Sequence, residues 1–164
     1  MPPDSSCAPA VSSERRRIAE HTGEIAVEIA TLKRRPSSIL SQKSFENALI
    51  VLLAIGGSTN GLVHLTAIAG RMGIQLDMDS FDALSRDIPV IVDLKPSGEG
   101  YMEDLHKAGG LPRILMELKD KLHLDTHTIT GKTLGEIIDE TNFSWKQEIV
   151  KSAGNPVYRE GGIA

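Results

Sequence analysis

Asn47-Ala48-Leu49-Ile50-Val51-Leu52-Leu53-Ala54-Ile55-Gly56-Gly57-Ser58-Thr59-Asn60-Gly61-Leu62-Val63-His64-Leu65-Thr66-Ala67-Ile68-Ala69-Gly70 is the longest stretch of the chain without an Asp, Glu, Lys or Arg. It is long enough to span a bilayer. However, a Gly-Gly-Ser-Thr-Asn break sits at its middle and His64 follows. The apolar run before the break, Ala48 to Ile55, falls far short of the ~20 residues that a membrane helix needs. The stretch therefore reads as two buried helices. The first starts after Ser41 and is apolar nearly all round, through Phe45, Ala48, Leu49, Leu52, Leu53 and Ile55. Gly56-Gly57 breaks it. Ser58 is the expected N-cap of the second, which runs to about Met72 with Leu62, Leu65, Ile68 and Ala69 inward and Gly73 as its stop.

Outward from this pair, residues 1–11 read as a loop. From Ser12 to Leu32 the positions Ile18, Ile25, Ile29 and Leu32 fall near one helical stripe, with Lys33-Arg34-Arg35 at its negative end and Pro36 beyond. Asp79-Ser80 opens a short helix through Leu84. Pro89-Val90-Ile91-Val92-Asp93-Leu94 is the best strand: short, β-branched and nearly continuously apolar, as in a strand buried on both faces. Lys95-Pro96-Ser97-Gly98 is a turn, and Tyr101 to Lys107 a helix that Gly109-Gly110 ends. Pro112 suits the first position of the next helix, with a stripe of Leu111, Leu115, Leu118 and Leu122. Thr128-Ile129-Thr130 reads as extended, and Thr133-Leu134-Gly135-Glu136 as a capping box. Helices interleaved with short apolar strands make the expected class α/β.

Composition narrows the function. At 164 residues the chain fits one domain and can bury roughly two-thirds of its unfolded surface. The formal net charge of −4 argues against a nucleic-acid domain, which depends on neutralising phosphates. Three Phe, two Tyr and one Trp are few for stacking bases. One cysteine excludes an intrachain disulfide and a thiolate cluster held by this chain alone. Met1-Pro2-Pro3-Asp4 lacks the basic and apolar regions of a signal peptide.

Four constellations bear on chemistry. Thr130-Gly131-Lys132-Thr133 ends like a phosphate-binding loop, but Thr126 stands where that loop needs its first glycine. His123-Leu124-Asp125-Thr126-His127 puts three ligand-type side chains on one face of an extended segment. They spread over about 13 Å, so a solvated loop is expected rather than a metal site. Cys7 has no paired thiol or base nearby in sequence and reads as a bystander. Gly56-Gly57-Ser58-Thr59-Asn60 is the most informative. Two glycines permit close approach, and two hydroxyls and an amide follow at a helix N-terminus, where free N–H groups favour an anion. The alternative is a tight turn in which Ser58 caps and Asn60 satisfies backbone. His64, one turn on, suits a satisfied core histidine.

Ser44-Phe45-Glu46-Asn47-Ala48, Ile55-Gly56-Gly57-Ser58-Thr59-Asn60, His64-Leu65, Ala67-Ile68-Ala69, Lys95-Pro96-Ser97-Gly98, Asp104-Leu105-His106, Ala108-Gly109-Gly110 and Thr130-Gly131-Lys132-Thr133 occur in the order and spacing of one family. From about Pro2 to Ala164 the chain resembles the dihydroxy-acid dehydratase / phosphogluconate dehydratase family. The resemblance implies a hydro-lyase that removes water from a 2,3-dihydroxy carboxylate to give a 2-oxo acid. It also implies an iron-sulfur cluster on three cysteines, a magnesium ion on carboxylates and a modified lysine, and a serine base. All of these lie in family segments before or after this one, so no catalytic, cluster-binding or metal residue is carried over, and neither cofactor is expected to be held by this chain alone. Cys7 falls in the loop after the last cluster cysteine.

The fold implied is part of the N-terminal α/β domain, helices around a short mostly parallel sheet. Residues 1–164 form a partial domain without the C-terminal barrel-like domain, whose first residues Gly161-Gly162-Ile163-Ala164 resemble. Ser58, Thr59 and Asn60 are the expected substrate-pocket residues. Arg86-Asp87-Ile88-Pro89 and Asn142-Phe143-Ser144-Trp145 resemble the branch acting on sugar acids such as pentonates more than the branch making branched-chain amino-acid precursors. The implied partner is a small hydroxy acid, with no nucleic acid and no membrane, in a homo-oligomeric parent. The implied compartment is the cytoplasm, or the mitochondrion for a eukaryotic amino-acid biosynthesis branch. The chain alone is expected to be inactive, without a cluster, and prone to associate through uncovered apolar surface. A non-catalytic truncated protein on the same scaffold is the alternative.

Overall fold

The computed structural model describes residues 7–163, so the expectations for Met1–Ser6 and for Ala164 lie outside the described residues. Among the described residues seven α-helices carry the fold: α1 Ser13–Thr31, α2 Gln42–Ala54, α3 Thr59–Arg71, α4 Met78–Asp87, α5 Met102–Lys107, α6 Gly110–Glu117 and α7 Leu134–Glu140. Short 3-10 turns lie at Pro36–Ser38 and Lys119–Lys121.

α2 is the central element. Ser41 Oγ accepts from the Ser44 N–H at 3.3 Å, and the Ser41 N–H donates to Ser44 Oγ at 2.8 Å, so two orphan donors are satisfied at the helix start. Phe45, Leu49, Ile50, Leu53 and Ala54 are buried. The helix ends where Gly56 adopts φ +60°. A Cβ on Gly57 would lie 2.4 Å from Leu52 Cδ1 and 2.9 Å from the Leu52 carbonyl oxygen, so the chain can turn back over α2 only without a side chain there. Ser58 then caps α3, as expected, by accepting from the Gly61 N–H. α3 stops in a Schellman turn: the Ile74 N–H reaches the Ala69 carbonyl and Gly73 takes φ +73°.

Three sequence expectations for helices need correction. α3 buries only Ala69 among its residues, while Val63 and Ile68 are exposed and His64 lies at the surface rather than in the core. α1 buries no residue, and its apolar stripe is only half covered. The basic triplet after α1 is not part of its last turn. Lys33 takes the left-handed position of a second Schellman turn at φ 52°, and the Arg34 side chain reaches the 128–131 turn. There its Nη1 donates to the Ile129 carbonyl at 2.9 Å and its guanidinium covers Gly131.

The expected sheet is absent among the described residues. Ile88, Val90, Ile91 and Val92 are extended and buried as the pattern demands. Their backbone groups, however, go to a helix end and an irregular segment. The Ile91 N–H donates to the Ala54 carbonyl at the end of α2. Val92 and Val90 form isolated antiparallel bridges with Val150 and Tyr158, and Leu94 a parallel one with Gly100. A turn at Ser152–Asn155 and Pro156 interrupt the partner segment, so no ladder can propagate. The fold is thus a helical layer around one buried extended segment, not a mostly parallel sheet.

Thr128–Gly131 is a turn rather than an extended run, closed by the Gly131 N–H on the Thr128 carbonyl. Pro112 is the third residue of α6, not its first, because Gly110 already belongs to the helix. The capping box of α7 forms as read. The N–H and hydroxyl of Thr133 bond the Glu136 carboxylate and hold it below its ordinary carboxylate range.

Candidate functional site

An open cavity of about 480 Å³ lies between the end of α2, the start of α3 and the helices α5 and α6. Its floor is apolar: Val51, Ile55, Leu105, Leu111 and Ile114. Gly56-Gly57-Ser58 form one wall, and Lys95-Pro96 with Met102 form another. Gly56 stands against the facing loop, where a Cβ would make ordinary contact with Ser97 Oγ at 3.4 Å; its left-handed φ of +60°, not lack of space, favours glycine.

That loop is held from several directions. Gly98 N–H bonds the Leu94 carbonyl at 2.7 Å, Lys95 N–H the Gly100 carbonyl at 3.0 Å, and Glu99 N–H the Asp93 carboxylate at 2.8 Å. The Tyr158 hydroxyl donates to the Ser97 carbonyl at 2.8 Å. Lys95 Nζ lies 2.5 Å from the Tyr101 hydroxyl and 4.1 Å from that ring's centroid.

Of the three pocket residues read from sequence, Ser58 lines the cavity, whereas Thr59 and Asn60 are exposed beside it on the first turn of α3. The polar break is therefore a surface feature and not a buried one. Cys7 is buried in the core and forms part of the cavity wall. Lys95, Tyr101 and Met102 were not singled out from sequence. The Lys95-Pro96-Ser97-Gly98 turn was their only signal, and a turn by itself does not tell which surface it meets.

The other constellations resolve into structural roles. His123 Nε2 pairs with Glu46 at 2.7 Å, and Asp125 with Lys43 at 2.5 Å, a hydrogen bond that holds the Asp125 carboxyl below its usual range. His123 and Asp125 thus turn to different partners, and among the described residues no three such side chains converge on a metal position. Lys132 of the Thr130–Thr133 run bonds both oxygens of Glu140 at 2.6 Å. Asn47, noted only as part of a motif, is a buried amide joining α2 to the 123–126 turn.

A second apolar groove of about 600 Å³ runs between α2 and α3, past His64, Leu65 and Ile68. No helix among the described residues is long and apolar enough to cross a membrane.

A family model described as dihydroxy-acid/6-phosphogluconate dehydratase N-terminal matches residues 1–137. Among curated proteins, the dihydroxy-acid dehydratase of Metallosphaera sedula is 43% identical over 98% of this chain and 30% of its own length. Dihydroxy-acid dehydratase 1 of Methanosarcina acetivorans is 42% identical over 99% of this chain and 30% of its own. The dihydroxy-acid dehydratase of Thermodesulfovibrio yellowstonii is 41% identical over 99% and 29%. The chain therefore spans about 30% of the length of these relatives. With the N-terminal family model covering residues 1–137 and the relatives' identity running over nearly all of the chain, it belongs to the dihydroxy-acid/6-phosphogluconate dehydratase family.

Proposed function

We propose that this chain is the part of a hydro-lyase that holds the apolar tail of a 2,3-dihydroxy carboxylate while water is lost to give a 2-oxo acid. The cavity carries this reading: its floor offers only hydrocarbon, and its polar groups stand at the rim. A hydroxylated sugar-acid tail would leave its hydroxyls without partners on such a floor, whereas a branched alkyl tail gains from burial. The names of the relatives, dihydroxy-acid dehydratases, support the same substrate class.

The residues behind the sugar-acid expectation have other duties here. Arg86 pairs with Asp82, Asp87 with Lys121, and Ile88 is core. Phe143 packs edge-on against Trp145, whose indole N–H bonds the Lys107 carbonyl at 3.1 Å. None of them lines the cavity.

The iron-sulfur cluster and magnesium implied by the family do not fit the donors present. The sequence holds one cysteine, and the acidic and histidine side chains among the described residues are dispersed. What this chain contributes is substrate shape and placement. Asn60, exposed on the first turn of α3 next to Ser58, is placed to hydrogen-bond a ligand hydroxyl at the mouth of the cavity.

The test is a chimera in which residues 1–164 replace the matching segment of the Metallosphaera sedula relative. The chimera is expected to form 2-oxo acid from a branched-chain 2,3-dihydroxy acid, with kcat/KM at least about tenfold above that for a pentonate. A reversed preference overturns the apolar-tail reading. A folded chimera inert towards both overturns the hydro-lyase reading. In the active chimera Asn60→Ala is expected to lower kcat/KM by about tenfold, ~1.4 kcal/mol, without moving the thermal midpoint, because the side chain is exposed. A fall in thermal midpoint with unchanged kinetics assigns Asn60 to the turn alone.

A further inference from the structure

We propose that the outer face of α1 is a self-association surface, on which a second copy of this chain packs antiparallel around a two-fold axis near the middle of the helix. The proposal is independent of the cavity and of the function read from it.

α1 is a 19-residue helix that buries no residue. Its inner side, Ile18, Ile25 and Ile29, is half-buried. Its outer side carries Arg16, Glu20, Gly23 and Val27, all exposed, at the three- and four-residue spacing of one helical stripe. Val27 is 70% exposed, and the helix is flanked by Val11 at 92% and Leu32 at 52%. Apolar side chains thus stand in water on a helix that already has an inner stripe.

The charges select what covers them. Arg15, Arg16 and Arg17 lie near the start of α1, whereas from Ile18 to Thr31 it carries Glu20, Glu24 and Glu28 and no Lys or Arg. Cations near a helix N-terminus and carboxylates towards its C-terminus both oppose the helix dipole. The chain itself does not offset this layout: among the described residues the side chains of Arg16, Glu20 and Glu28 make no ion pair. An antiparallel copy does. With the two helices crossing near Gly23, the basic start of each lies along the acidic end of the other. Arg16 and Arg17 then meet the partner subunit's Glu28, and Val11 approaches the partner subunit's Leu32. The two-fold axis makes each contact twice. A parallel copy would set arginine against arginine and glutamate against glutamate, so charge fixes the orientation as well as the partner. Gly23 leaves room at the crossing, since nothing lies within 4 Å of its Cβ position. A helix of 19 residues is roughly 28 Å long, so this face alone falls short of the ~800 Å² per partner of a standard interface, and a weak dimer is expected.

The experiment is sedimentation equilibrium of the full chain. A monomer–dimer equilibrium is expected between about 10 μM and 1 mM, weakened at least about fivefold when salt is raised from about 50 to 500 mM, because the paired charges are exposed. Arg16→Glu with Arg17→Glu, and separately Glu24→Lys with Glu28→Lys, are each expected to weaken dimerisation at least about tenfold. An equimolar mixture of these two variants is expected to dimerise at least as tightly as the wild type. All four side chains are exposed, so both variants are expected to keep the wild-type circular dichroism and thermal midpoint. Val63→Glu with Ile68→Glu, on exposed positions of α3, is expected to leave the equilibrium unchanged. The proposal is overturned by a wild-type chain that stays monomeric or grows beyond a dimer, by charge-reversed variants that dimerise as the wild type does, or by a mixture that does not recover. Loss of association in the α3 variant alone also overturns it and assigns the contact to the α2–α3 groove.

Discussion

Replacing Asn47 by alanine lowers the unfolding free energy of the chain by about 3 kcal/mol. The amide is buried at 7% exposure, and its oxygen and both its donors are engaged across one junction. Its Oδ1 accepts from the His123 N–H at 2.8 Å, and its Nδ2 donates to the His123 carbonyl at 3.0 Å and to Thr126 Oγ1 at 3.2 Å. Alanine leaves the His123 N–H with no acceptor and removes the packing of the amide. The His123 carbonyl keeps one donor, the Thr126 hydroxyl at 3.0 Å. One orphaned, partly buried donor plus a small cavity is an effect of this size. Urea unfolding followed by circular dichroism measures it, and a loss below about 1 kcal/mol contradicts the account.

Gly98→Ala costs about 2–3 kcal/mol and disorganises the cavity wall. A Cβ there would stand 2.2 Å from Asp93 Oδ1, 2.8 Å from the Leu94 nitrogen and 2.9 Å from the Asp93 carbonyl carbon. The carboxylate can swing away, but the two backbone atoms cannot move without opening the loop. Opening breaks the Gly98–Leu94 and Glu99–Asp93 hydrogen bonds, and with them the placement of Lys95. Gly154→Ala is the control: nothing lies within 4 Å of its Cβ position, so its effect stays within about 0.5 kcal/mol. Equal thermal midpoints for the two variants refute the steric argument.

Local chemistry was the legible part of this sequence. Ser58 and Thr133 cap the helices they were read to cap, and Ser12 and Ser41 cap helices read to begin at or just after them, because a cap depends on residues three positions away. Gly73 ends α3 for the same reason. What sequence could not give was partnership at long range. The run from Ile88 to Leu94 has the composition of a strand buried on both faces, and it is buried. Composition is silent on whether the neighbour is another strand or the end of a helix, and here the Ala54 carbonyl takes the place of a ladder. The absence of charge between Asn47 and Gly70 likewise reports burial for α2 but not for α3. The apolar side chains of α3 face a groove that the described residues leave open.

The same limit applies to the site. Ser58 was found through its neighbours in sequence. Lys95 and Met102 join it only through the fold, across loops roughly forty residues away. Asn47 gave no functional signal because a buried amide and a surface amide look alike in sequence.

The central extended segment has a consequence for how the chain acquires its fold. Val90, Ile91 and Asp93 exchange backbone hydrogen bonds with Ile149, Lys151, Val157 and Tyr158, and Gly161 N–H reaches the Ser85 carbonyl. These contacts close loops of about sixty to seventy-five residues, entropically late events on any folding route. During synthesis, the segment after α4 is made long before the residues that complete its backbone pairing. The packed unit therefore extends to at least Gly161, past residue 137 where the family match stops. A chain released at that boundary would expose the Val90 and Asp93 N–H groups and the flank of Ile91 together, an unpaired edge of the kind that joins one molecule to the next.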